Sequence, residues 1–569
     1  QDGFWDVDIH NPITNILIGA GSTSYGNIFE SDGMVEKYLE SSFIDLIDEC
    51  GLNVMQYAVS SNLNFDINFC PYLCRQINRS MKHLKNIAIF TYLLLLLSGC
   101  ENGSGKVKSG DLADSDSIVS ITLLYTNDEH GWLAPNEDYG GAPGLMYKWK
   151  EKEGYDTSDN YLVLSGGDMW SGPSISTWFH GEPMVEVMNA MDYDAAAIGN
   201  HEFDFKVDVL EERLSEQTFP LLAANIVETA TNEIPDFAEP YIIEEIDGVK
   251  VGIIGLASLT TPSSTFPANV EIYSFTAYEA AINKYAPEAK EEGAVVLILL
   301  GHICYDEMMD LVDVAQENGI SVMGGGHCHQ KYMEVSNGVL LMQTGSGMRA
   351  YGKVKFDYHL YDSTTMNFEY EIVENTSNGA DAGIQEIVEF WQEETDKELS
   401  EQIGYTDVTI EQTSPEMRNM VCDSWLYTFP GADVSLTNGG GIRQDIAEGP
   451  ITLATIVGLL PFENTIVKLE VTGEQLKVLS LAEDIYMGGM TTIGGFSLSD
   501  GTEIRDEQIY TILINNYLYF RDDYPFSTYD PDPVDTYVHY REPLIEWLRS
   551  INSSPADPLS NYLDGERRR

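Results

Sequence analysis

From about residue 119 the chain alternates short, wholly apolar runs with amphipathic stretches, and no other feature narrows its fold as far. "IVSITLLYT", "YLVLSGG", "AAAIGN", "PLLAAN", "VKVGIIGLA", "AVVLILLGH" and "ISVMGGG" read as strands. Between them "EPMVEVMNAM", "VDVLEERLSEQ" and "YEAAINKYAPEAKEEG" carry helical spacing. Strands that lack polar alternation need cover on both faces, so a layered α/β domain is expected over residues 119–375, closed by antiparallel strands in "KVKFDYHLYD" and "NFEYEIVE". A charged amphipathic helix over 380–402, in a linker spanning 376–402, marks the boundary to a second mixed domain over 403–550. Residues 551–569 read as a frayed tail. At 569 residues the chain exceeds what one core accommodates.

Charge excludes whole classes of partner. Lys plus Arg number 31 against 91 Asp plus Glu, a net charge of -60, and such a surface repels nucleic acid polymers and anionic membranes. The acidic residues are spread along the chain, as on a solvated, salt-adapted surface. "MKHLKNIAIFTYLLLLLSGC", residues 81–100, places Lys82 and Lys85 before an apolar run from Ile87 to Leu97. That run is shorter than the roughly 20 residues of a membrane span and reads as a secretory signal. Its end, Leu97 to Cys100, resembles the lipobox of bacterial lipoproteins, which implies export and a lipid anchor on Cys100 at the cell surface or in the periplasm. Since a signal acts near the start of a chain, Met81 is the expected start, 1–80 is a doubtful upstream segment with a genuine N-terminal extension as the alternative, and 101–118 is a flexible tether. Of seven cysteines only Cys304, Cys328 and Cys422 lie beyond the tether, so no disulfide framework is expected and Cys328 is read as a packing residue.

The residues that carry chemistry fall just past the strand ends. They are Asp128 and His130 in "NDEHG", Asp168 in "SGGD", Asn200, His201 and Asp204 in "GNHEFD", His302 in "LLGH", and His327 and His329 in "GGGHCHQ". Taken singly, a strand-end Asp can cap a helix and a loop His can be an ordinary polar residue. Five such groups at successive strand ends point instead to one site, where open α/β sheets place theirs. Carboxylate, amide and imidazole without thiolate suit Zn, Mn, Co or Fe. Seven ligands exceed one ion, which requires a carboxylate shared between two metals, clamped about 3.5–4 Å apart as in phosphoryl-transfer sites.

This order of motifs resembles the calcineurin-like metallophosphoesterase superfamily, and residues 119–545 resemble the secreted two-domain 5'-nucleotidase and UDP-sugar hydrolase family. The resemblance implies a four-layer β-sandwich flanked by helices, with a second α/β C-terminal domain. It assigns Asp128, His130, Asp168 and His329 to one divalent metal, and Asp168, Asn200, His302 and His327 to the other. His201 would stabilise the transferring phosphoryl group or protonate the leaving group, with Asp204 orienting it. A metal-activated hydroxide, not a protein nucleophile, would attack phosphorus in line.

In the second half "TNGGGIR" resembles the family's substrate loop, so Asn438 and Arg443 are expected to contact substrate. Phe462 in "LPFENT" and Tyr517 in "NNYLYF" stand where the family stacks a nucleobase between two rings. Two departures are visible. "RDDYP" replaces a Gly-Gly-Asp-Gly segment, leaving Asp522 or Asp523 to stand in for the ribose-binding Asp. The arginine expected ahead of "NMVCD" is displaced, with Arg418 nearest. The expected function is hydrolysis of nucleoside 5'-phosphates, with UDP-sugars or nucleoside polyphosphates as further substrates. The alternatives are a 2',3'-cyclic nucleotide phosphodiesterase or a sulfur-oxidation hydrolase of the same architecture. The complete ligand set argues against a binding protein with an inactive catalytic half.

Overall fold

The computed structural model describes residues 118–155, 160–360, 364–376 and 378–569. Residues 1–80, the signal segment, Cys100 and the tether up to residue 117 lie outside the described residues. Among the described residues no helix is long and apolar enough to cross a membrane.

Each apolar run forms a strand because helices cover both outer faces of a pair of sheets. The first six-stranded sheet runs in the order Thr364–Glu374, Ala350–His359, Ile118–Thr126, Tyr161–Ser165, Ala195–Ala197, Leu221–Leu222. Its last four strands are parallel, and Ala350–His359 returns antiparallel beside Ile118–Thr126. The second sheet is ordered Lys331–Ser336, Val339–Thr344, Ile320–Gly324, Val296–Gly301, Val249–Leu256, Tyr241–Ile246, with the central four parallel. Between the sheets lies a core of alternate strand residues that includes Ile121, Leu123, Leu164, Ile253, Ile298 and Val322. Trp149, Met184, Leu210 and their neighbours fill the helix side of the first sheet. Ile282, Met308 and Leu311 fill the helix side of the second. The result is the four-layer arrangement expected.

The helix Ala382–Leu399 follows, with Asp381 accepting from the N–H groups of Gly383 and Ile384 as its N-cap. It buries Ile384, Val388 and Trp391 against the first sheet's helix layer. Beyond it a five-stranded sheet, Ile485–Gly488, Val434–Asn438, Ile509–Asn515, Thr465–Thr472, Val534–His539, carries two further cores, one on each face. The frayed tail expected over 551–569 is a correction. Leu559 is fully buried, and Arg568 pairs with Asp423 and Asp564 at 2.6 and 2.7 Å, so an apolar anchor and an ion-pair cluster hold the segment to its domain.

Candidate metal centre and substrate cavity

Register aligns the strand ends. Thr126 pairs with Ser165 and Ser165 with Ala196, while Leu256 pairs with Gly301 and Leu300 with Gly324. Each loop leaving this common edge delivers one or more of the sequence candidates. Asp128, His130, Asp168, His327 and His329 all have positive φ, between 46° and 72°, a region that non-glycine residues enter at a cost of order 1–3 kcal/mol. Two glycines make room. A Cβ on Gly199 would stand 2.1 Å from Asp168 Oδ1, and one on Gly326 would stand 2.8 Å from His302 Nδ1.

The structure brings Asp128, His130 and His329 into one group whose ligand atoms lie within 4.8 Å of one another, and Asp168, His302 and His327 into a second. Asp168 also groups with His130 and His201, which places its carboxylate between the two sets. His130 Nε2 is 3.0 Å from His329 Nε2, and His329 Nε2 is 3.4 Å from Asp128 Oδ1. His302 Nε2 is 3.0 Å from Asp168 Oδ2.

Two backbone carbonyls orient the rings. His302 Nδ1 donates to Gly166 O at 2.7 Å and His130 Nδ1 donates to Ser171 O at 3.0 Å, so the Nε2 atom of each ring points inward. His302 Nε2 and Asn200 Oδ1 are buried without a hydrogen-bond partner. Inward-facing ring nitrogens, an orphaned amide oxygen and two carboxylates are a donor set that fits divalent metal. Burial opposes charge on His302, yet Asp168 beside it raises its pKa to about 10, so the pair holds a proton where a cation would otherwise sit. Burial works the same way against Asp168, and His302, His201 and His130 hold it well below the usual carboxylate range. Burial and the neighbouring His302 push His327 down to about 4.

Carboxylates that sequence reasoning did not assign brace these loops. Glu202, the acid of "GNHE", accepts from the N–H groups of Asp168, Met169 and Gly199 at 2.7–2.9 Å and so fixes the backbone that presents Asp168. Glu129 accepts from the hydroxyls of Thr126 and Ser165. Adjacency to motif residues was their only signal. His201 Nδ1 lies 2.6 Å from Asp204 Oδ2, and Nε2 lies 4.0 Å from Asp168 Oδ2. Burial lowers the affinity of His201 for a proton, but Asp204 and Asp168 outweigh it and raise its pKa.

A cavity of about 450 Å³ opens over this cluster, lined by residues of both halves. From the first half come Asp168, Asn200, His201, Asp204, His327 and His329, joined by Lys206, Ser264, Thr265, Phe266 and Asn269, which the sequence did not single out. Asn438, Arg443, Phe462 and Tyr517 face them. Arg443 Nη2 stands 3.4 Å from His130 Nε2, and the Phe462 ring lies 5.6 Å from His201 at an interplanar angle of 15°. The Tyr517 hydroxyl donates to Ser263 O at 2.9 Å.

Three expectations are corrected. Asp522 is exposed and does not line the cavity, and Asp523 is turned to Arg521, whose guanidinium also reaches the Tyr517 hydroxyl at 2.7 Å. Arg418 sits 4.0 Å over the Tyr486 ring in a separate cavity. Cys328 is no packing residue: it forms a disulfide with Cys304, with Cα atoms 5.3 Å apart, because the fold sets the two strand ends side by side.

Known proteins share these features. The family of 5'-nucleotidase C-terminal domains matches residues 394–484. Endonuclease YhcR of Bacillus subtilis is 28% identical over 454 residues, 70% of this chain, and the match spans only 37% of that longer protein. The 5'-nucleotidase of Vibrio vulnificus is 24% identical over 552 residues, 84% of this chain and 98% of its own. The structure of a 5'-nucleotidase precursor from Thermus thermophilus has the same fold, with a TM-score of 0.68 at 21% identity over 79% of this chain and 99% of that one. A helix-flanked double sheet with histidine and aspartate ligand groups at its strand ends, followed by a second α/β domain, defines a two-domain protein of metallophosphoesterase type. Within that class the chain is a homologue of the 5'-nucleotidases and carries their C-terminal domain.

Proposed function

We propose that the chain is an exported, dimetal phosphoesterase that releases phosphate from nucleoside 5'-phosphates. The observation that carries this reading is Asp168, whose carboxylate is shared between ligand groups on either side and overlooks a cavity with two aromatic rings. When bound there, two divalent cations supply Lewis acidity and activate the attacking water. Asp128, His130 and His329 would hold one and Asn200, His302 and His327 the other, with Asp168 common to both. The chain's own residues do the rest. Asp204 holds the His201 ring by Nδ1 so that Nε2 faces the cluster, where it can donate a proton to the departing oxygen. Arg443, beside His130, meets the phosphoryl charge from the opposite half, and Asn438 lines the same wall. Phe462 and Tyr517 offer rings for a base, a sequence-tolerant contact. With Asp522 turned away, Asn464, Asn516 and Glu463 are the polar groups of that half placed to meet the ribose. Lipid anchoring through Cys100 completes the reading, and Cys100→Ser should move the protein to the soluble exported fraction.

The test is phosphate release from AMP, UDP-glucose, ATP, cyclic nucleotides and p-nitrophenyl phosphate by protein loaded with Mn, Zn or Co. AMP should show the higher kcat/KM, and a chelator should abolish turnover. No release from any nucleotide with any of these ions would refute the proposal.

A further inference from the structure

The Cys304–Cys328 disulfide joins two segments 24 residues apart, each carrying candidate ligands. His302 closes the Val296–Gly301 strand, and Cys304 follows two positions later as the N-cap of the helix Tyr305–Glu317. Cys328 lies between His327 and His329 in the loop leaving the Ile320–Gly324 strand. The helix side is firmly held. The Cys304 N–H donates to the Glu307 carboxylate at 2.9 Å, and that carboxylate also accepts from the Tyr278 hydroxyl at 2.9 Å. The loop side is tied at Gly326, whose N–H donates to Ile303 O at 3.1 Å. It is tied again at His327, whose N–H donates to Asp128 Oδ1 at 3.0 Å and whose Nε2 lies 3.0 Å from Thr260 Oγ1. Cys328 and His329 beyond them are held more lightly. Cys328 N–H turns back on Gly326 O within the loop, and the His329 side chain is 40% exposed. His327 and His329 both adopt left-handed backbone conformations, with φ of 72° and 52°, so their placement depends on restraint from outside the loop.

Resting on the two-cation reading above, we propose that Cys304 and Cys328 are positioning residues of the metal centre. Their bond sets the spacing of His302 and His327, the two imidazoles grouped with Asp168, and steadies His329 through the loop. Forming it removes two electrons and two protons from the thiols to a disulfide-type oxidant of an oxidising compartment. A dithiol returns both and is itself oxidised to a disulfide, leaving two thiols and every metal ligand intact. The opened loop no longer holds His327 against His302, and affinity falls chiefly for the ion on that side.

The experiment compares three forms of the full chain after metal stripping: oxidised protein, protein reduced with dithiothreitol and desalted without air, and the double variant C304A/C328A. Peptide mapping of the oxidised form should find Cys304 and Cys328 cross-linked, and calorimetric titration with Mn(II) reads both metal affinities. One of two ions should bind at least tenfold more weakly in the reduced and variant forms. Hydrolysis of p-nitrophenyl phosphate should return at saturating Mn(II) with KM for the ester unchanged, and dithiothreitol should leave the variant unaffected. Unchanged affinity for both ions in reduced protein with a lowered thermal midpoint would make the bond a staple of the fold and overturn the proposal, as would absence of the cross-link. If the variant fails to fold, the reduced wild-type protein makes the same comparison. Absence of stoichiometric metal in the oxidised form would instead remove the two-cation reading, and this role with it.

Discussion

Asp168 is fixed from two directions, its N–H by Glu202 and its Oδ1 by the N–H of His201 at 2.8 Å, while its Oδ2 faces His302 Nε2 at 3.0 Å. A side chain so constrained, in a backbone region it would not choose, is held there for its contacts. Asp168→Ala should therefore lower metal content at both positions and reduce phosphoester turnover by more than about a hundredfold, since loss of a residue that merely supports a ligand already reaches that size. Metal analysis and kcat/KM on p-nitrophenyl phosphate check it, and full occupancy with retained turnover would end the bridging assignment. At this scale the sequence named the ligand candidates but gave no sign of their left-handed backbone, which only the packed loops impose.

Among the elements, the helix Ala382–Leu399 shows how local patterning and packing agree. Its apolar stripe is legible as one face of a helix, and that face meets the first sheet's helix layer. Trp391 is 7% exposed and its Nε1 donates to Glu186 at 2.8 Å. Trp391→Ala should cost about 3–5 kcal/mol, the range for large buried side chains, read as a lower midpoint in urea unfolding. A loss under about 1 kcal/mol would mean the helix docks through other residues. The disulfide is the opposite case. A bond across 24 residues contributes on the order of 3 kcal/mol in the chain-entropy account, yet cysteine counting pointed away from it. Three cysteines beyond the tether allow several outcomes, and only the adjacency of two strand ends selects one pair. Cys422 remains buried and free.

For the molecule as a whole, the cavity is built from both halves, and selectivity should divide along that line. Replacing Phe462 and Tyr517 together by Ala should cost about 1–3 kcal/mol per lost stack for AMP. It should leave p-nitrophenyl phosphate less affected, because that ester needs little beyond the cluster and His201. Equal losses in kcat/KM on both substrates would deny the second half a role in choosing a base. The net charge of -60 sets a second expectation. Screening shortens from about 10 Å at 0.1 M salt to about 3 Å at 1 M, which relieves self-repulsion in the folded state. The thermal midpoint should rise between those concentrations, and a fall would show that attractive ion pairs outweigh repulsion.

The layered fold could be read from the chain because burial on two faces writes itself locally, as unbroken apolar runs such as "VVLILLG" flanked by amphipathic helices. The candidate ligands were readable for a related reason: each follows such a run by one to seven residues, so strand order carries them to one edge. Besides the disulfide and Arg418, three further features escaped. Asp522 was expected to reach substrate, but Arg521 binds both Asp523 and Tyr517 and turns the segment outward. The tail looked polar and loose, yet Leu559 and Arg568 find partners more than a hundred residues away. Ser264, Thr265, Phe266 and Asn269 carry no motif and stand out only once the second domain closes a cavity over them. Periodicity is a property of neighbours in sequence, whereas pairing of a charge, a thiol or a cavity wall depends on which distant segment arrives beside it, and that is settled only when the domains pack.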